Sequence, residues 1–156
     1  MIWEIRYYKN EINYKSKIHD FVETATGNKE FVIKSAKEKM ARHNYKIYEL
    51  VHIKAELYNV KAENGDQFIL RAYILSSGEL QLEGQDFCEL AEELYGDEEY
   101  EYYYLFDLQN TNKLKSILGA NDLIDSLVEF YKDEKSSEKL FKLCDDNEIK
   151  YKIHVI

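Results

Sequence analysis

Polar and apolar residues alternate from the first positions of this chain. Ile2, Glu4, Arg6 and Tyr8 interleave with Trp3, Ile5 and Tyr7, the period of a strand. Residues 10–28 follow no single period, and Ile12, Lys15, Ile18, His19 and Val22 fit a short helix ending before Gly27. The good helix formers of residues 29–42 predict a helix with Phe31, Ala36 and Met40 on its inner face and a stop at Asn44. Residues 46–63 carry the clearest β signal, with rough alternation from 50 to 61. Asn64-Gly65 then predicts a type I′ hairpin, because both central residues of that turn need positive φ. A returning strand over 67–75, a turn at Ser76-Ser77-Gly78 and a third strand over 79–83 complete an antiparallel meander.

Gly84 reads as the end of that sheet segment. Over residues 85–95, Phe87, Leu90, Ala91 and Leu94 recur at helical spacing, with Asp86 as N-cap, Glu89 completing a capping box and Gly96 as the terminating residue. Residues 99–108 form an aromatic-rich strand, and a helix over 110–118 stops at Gly119. Asn121 or Asp122 caps the next helix, whose buried face is Leu123, Leu127, Val128 and Tyr131. A third helix covers 136–145 through Leu140, Phe141 and Cys144, and 149–156 alternates as a closing strand. The predicted class is therefore α+β. Its antiparallel sheet has five or six strands, a meander plus a β-α-α-α-β tail, with three to five helices packed mainly on one face. The expected organisation is a single domain, 1–156, whose pattern also allows sub-lobes 1–84 and 85–156 sharing one sheet.

Charge changes this picture. The chain has 30 acids and 21 bases, yet residues 72–112 contain eleven carboxylates and no Lys, Arg or His. The remainder holds 19 acids against 21 bases. The negative charge is thus concentrated in the middle of the sequence, and the boundary near residue 72 falls inside the meander rather than between domains. Zero Pro throws the turns onto Gly, Asn, Asp and Ser. Cys88 and Cys144 are too few for a disulfide scaffold and read as buried thiols of helices. No apolar run reaches membrane-spanning length and the start lacks a signal-peptide core, so a cytoplasmic, soluble protein without membrane association is expected.

Candidate chemistry is sparse. His19, His43, His52 and His154 are scattered, with no i, i+4 pair and no Cys–His metal spacing. Nucleophile elbows and phosphate-binding glycine loops are absent, and the glycines are accounted for by turns and helix ends. Catalytic, cofactor and metal residues are each expected to be none. The distinctive string is Asp97-Glu98-Glu99-Tyr100-Glu101-Tyr102-Tyr103-Tyr104. In a strand, Glu99, Glu101 and Tyr103 share one face while Tyr100, Tyr102 and Tyr104 share the other. An exposed Tyr among carboxylates can stack on a partner's Arg while the carboxylates take its guanidinium.

The strings Gly84-Gln85-Asp86-Phe87, Leu94-Tyr95-Gly96-Asp97 and Glu99-Tyr100-Glu101-Tyr102 resemble a C-terminal module of uncharacterised bacterial and phage-encoded proteins, and Asn147, Ile149 and Tyr151 match its ending. The resemblance covers about residues 79–156 and carries no known activity. It implies a bacterial or phage setting, in which small acidic proteins look like immunity proteins or inhibitors of host defence. The expected function is a non-enzymatic acidic protein-binding protein, an immunity or inhibitor protein that neutralises a basic, nuclease-type partner without binding nucleic acid itself. Its expected contact residues are Asp97, Glu98, Glu99, Glu101 and Tyr103. The alternatives are a phage DNA-mimic inhibitor of restriction or CRISPR systems and a carboxylate-based metal-dependent hydrolase.

Overall fold

A computed structural model of the chain describes residues 1–89, 91, 93, 96, 99–119, 121–131 and 135–156. Among them are seven strands, hydrogen-bonded in the order β2-β1-β3-β4-β5-β6-β7, and five helices. The fold is α+β with an antiparallel sheet, as expected, but its seven strands are one more than the five or six expected, because β2 was not read as a strand. The chain groups into two compact units, Met1–Ile53 and Lys54–Ile156, and the division falls inside β3.

The first unit holds β1 (Ile2–Tyr8), α1 (Glu11–Lys15), β2 (Phe21–Thr26), α2 (Lys29–His43) and the start of β3 (Ile47–Lys61). The alternation of β1 sends Trp3, Ile5 and Tyr7 into a core completed by Val32 and Ala36. The helix expected somewhere in residues 10–28 shrinks to the five residues of α1, and β2 takes the rest, pairing antiparallel with β1. Its sequence, Phe-Val-Glu-Thr-Ala-Thr, hides the strand because Glu23 occupies an inward position. That carboxylate accepts a hydrogen bond from the Tyr7 hydroxyl at 2.6 Å. Asn28 caps α2 by accepting from the Phe31 amide, and Asn44 ends it in the left-handed region at φ 56°. The inner face differs from expectation: Val32 is buried beside Ala36, while Phe31 is 62% exposed.

The second unit contains the rest of β3, β4 (Gln67–Ile74), β5 (Leu80–Phe87), β6 (Glu99–Phe106), α3 (Leu108–Ile117), α4 (Leu123–Phe130), α5 (Ser136–Asp146) and β7 (Lys152–Val155). The β3–β4 loop is not the type I′ turn expected of Asn64-Gly65. The Gly65 amide donates to the Ala62 carbonyl and the Ala62 amide donates to Asp66, and of the two residues only Gly65 has positive φ, at 102°. This is a type I turn closed by a glycine bulge, with the Asn64 side chain bonded to Asp66. The Ser76-Ser77-Gly78 turn has the same bonding, and Gly78 lies at φ 86°.

β5 departs most from the sequence reading. It does not stop at Gly84, and Gln85, Asp86 and Phe87 continue the strand, paired with Ile69, Phe68 and Gln67 of β4. Asp86 is therefore no N-cap, and Gly84-Gln85-Asp86 opens no helix. Of the helix expected over 85–95, Glu89, Ala91 and Glu93 are helical, while Leu90, Glu92, Leu94 and Tyr95 lie outside the described residues. The tail matches its expected β-α-α-α-β order, with β7 antiparallel to β6. Asp107 and Asp122 cap α3 and α4. Leu57, Leu70, Ala72, Leu80, Leu82 and Phe106 of the sheet pack against Leu114, Leu123, Ile124, Leu127, Leu140 and Cys144, so all three helices cover the same face.

Candidate functional site

Period-two geometry gives the sheet of the second unit a helix-covered face and a face of half-buried polar residues. Register fixes which side chains share each face. On the polar face, neighbouring strands align in rows: Lys61, Gln67, Phe87 and Glu99; then Asn59, Ile69, Gln85 and Glu101; then Glu56, Arg71, Glu83 and Tyr103 with His154; then Lys54, Tyr73, Gln81 and Leu105 with Lys152. Glu99, Glu101 and Tyr103 thus stand side by side on one face, as the alternation predicts. Asp97 and Glu98 lie outside the described residues.

Sequence reasoning missed what organises this face. The Gln85 amide donates to the carboxylates of both Glu99 and Glu101, the latter at 3.4 Å. Arg71, the last base before the acidic segment, reaches Glu83 and the Gln85 carbonyl oxygen, each at 3.1 Å. Tyr73 donates to Glu83 at 3.1 Å. Burial, followed by the carboxylates of Glu101 and Glu83, raises the Tyr103 hydroxyl above its ordinary range. A segment devoid of bases in sequence thus acquires them from its neighbours in space: Lys54, Lys61, Arg71 and Lys152 share the face with Glu56, Glu83, Glu99 and Glu101. The carboxylates gather toward its Glu99 end, while Lys54 and Lys152 lie at the other. Glu83, Glu99 and Glu101 do not converge to the spacing of a metal centre.

The opposite face of β5 carries a second group. A Cβ on Gly84 would lie 2.0–2.1 Å from atoms of the Tyr102 ring and 2.5 Å from its hydroxyl, so that phenol occupies the space a side chain at the glycine would need. This placement brings the Tyr102 hydroxyl within hydrogen-bonding reach of both Asp86 and Tyr58. Burial pushes the Asp86 carboxyl up to about 6 against the opposing bond from Tyr102, and its Oδ1 is shielded from solvent without a hydrogen-bond partner. Beside it lies a pocket of about 300 Å³ lined by Tyr58, Val60, Ala62, Phe68 and Asp86. The visible signal was the continued alternation Leu80, Leu82, Gly84, Asp86, masked by reading Gly84 as a terminator.

The thiols offer no comparable chemistry. Cys144 is buried in α5 and desolvation raises it to about 11, while Cys88 is half-buried and follows β5 rather than standing on a helix. His52 is buried in β3, stacked on Trp3 at 4.2 Å. No helix among the described residues is long and apolar enough to cross a membrane. No family model, curated protein or solved structure matches this chain.

Proposed function

We propose that this chain is a protein-binding module of the immunity or inhibitor type, which docks a basic partner on the Glu99 end of the polar sheet face. The observation that carries this reading is the register of β5 and β6. It sets Glu83, Glu99, Glu101 and Tyr103 together on rigid strands, with Gln85 tying two of the carboxylates in place. Side chains held before binding lose less entropy on association. A carboxylate offers about four lone-pair sites, so a bond from Gln85 still leaves room for a guanidinium. Tyr103 supplies the aromatic ring on which such a cation stacks.

The mixed signs on this face favour a compact arginine- or lysine-bearing protein surface over the DNA-mimic alternative, which asks for carboxylates repeated along a uniformly acidic surface. The test is capture of partners from the native host with wild type beside Glu99→Lys/Glu101→Lys, followed by affinity measurement with each purified candidate. A basic protein held by wild type and at least tenfold weaker with the variant is the expected result. Equal affinities for both would overturn the assignment.

A further inference from the structure

The cavity beside Asp86 lies on the opposite face of β5 from Glu83 and Gln85, so a ligand there is independent of docking on the polar face. Its walls are the phenol of Tyr58, the ring of Phe68 and the aliphatic groups of Val60 and Ala62, with the Asp86 carboxyl as its acidic group. The register explains the composition: Val60, Phe68, Asp86 and Tyr100 occupy one row, and Tyr58, Leu70, Gly84 and Tyr102 the next. One carboxylate oxygen has the Tyr102 hydroxyl within reach, while Oδ1 has no partner. Among the described residues, the titratable groups facing Asp86 are the phenols of Tyr58 from β3 and of Tyr100, Tyr102 and Tyr104 from β6, while β4 contributes Phe68. Among the described residues, the groups acting on Asp86 include no cation.

A buried acceptor without a partner costs about 1–3 kcal/mol, so a donor that enters the cavity and reaches Oδ1 recovers that cost. Tyrosine and phenylalanine faces attract organic cations, and a carboxylate attracts the ammonium head. The Asp χ2 torsion is broad, so a modest rotation turns Oδ1 toward the cavity. A volume of about 300 Å³ is at the small end of ligand sites. We propose that this pocket binds a small organic cation, a protonated amine carrying a short apolar or aromatic stem, with the ammonium on Asp86 and the stem against Tyr58, Val60 and Phe68.

The probes are benzylammonium and n-butylammonium, with benzyl alcohol as the uncharged control, titrated by tyrosine fluorescence and heteronuclear NMR at pH 8. Wild type is expected to saturate with both amines and not with the alcohol. Asp86→Asn should weaken amine binding at least tenfold, and wild-type binding should fade as pH falls through about 6, where Asp86 takes up its proton. Val60→Trp, at a position 44% exposed, fills the cavity while leaving Asp86 in place and should also abolish binding. Absence of saturable amine binding by wild type would overturn the proposal. So would Asp86→Asn and Val60→Trp proteins that bind as wild type does, or benzyl alcohol binding as tightly as benzylammonium.

Discussion

At the scale of single residues, Asp86 and Gly84 make opposite claims on stability. An acid whose pKa is raised by folding contributes stability that is fully present below its unfolded value and is lost as pH rises through the folded value. For Asp86 the window runs from its ordinary 3.8 to about 6. Asp86→Asn should therefore stabilise the protein at neutral pH by roughly 1 kcal/mol, the shift being discounted by more than half for partial solvent access. The gain should disappear below pH 4 in denaturant titrations, and a constant gain across pH would contradict the burial argument. Gly84 acts sterically, because any side chain there meets the Tyr102 ring. Gly84→Ala should cost about 1–3 kcal/mol, and most of that cost should vanish in a Tyr102→Ala background. Additive losses in that double-mutant cycle would show that the ring and the glycine are independent.

Among elements, the two meander turns and β2 show where local sequence is decisive and where it is not. Asn64-Gly65 marks a hairpin correctly but not its type, since the type I turn with a glycine bulge needs positive φ only at Gly65. Gly65→Ala should cost about 1 kcal/mol or more, whereas Asn64→Ala should cost about half as much through its lost bonds to Asp66. Comparable losses would restore the type I′ reading. β2 was illegible because Glu23 breaks the apolar alternation, and only tertiary partners explain it. Burial pushes its carboxyl up, but Lys39 and the Tyr7 hydroxyl more than reverse this, leaving it lowered. Glu49 is lowered in the same way, burial being outweighed by Lys17 and the Tyr8 hydroxyl. Both therefore contribute stability above their ordinary 4.5 that is lost as pH falls through their folded values. Hydrogen exchange on β1 and β2 should accelerate in that acid range, and Glu23→Gln should remove much of the effect. Exchange insensitive to pH after correction for intrinsic rates would contradict it.

For the molecule as a whole, hydrophobic periodicity carries most of the architecture. The three-helix tail, the cap of α4 at one of the two candidate residues and the pairing of β6 with β7 were legible, whereas Asp107, read as part of the strand, caps α3. So was the grouping of Glu99, Glu101 and Tyr103, which follows from alternation alone. Their environment was not legible, because Arg71, Glu83 and Gln85 come beside them only through strand register. A glycine that accommodates a cross-strand ring looks, in sequence, like a glycine that ends a strand, and this concealed Asp86. The linear charge boundary likewise dissolves in space, where bases from β3, β4 and β7 join the acidic strands. Docking by the clustered carboxylates stands or falls on one comparison. It is the affinity of a captured basic partner for wild type and for Glu99→Gln/Glu101→Gln, a substitution that preserves shape, at low and moderate salt. Docking predicts at least a tenfold loss at low salt and a weaker salt dependence for the variant. Equal affinities with equal salt dependence would contradict it and leave these carboxylates as solvated surface.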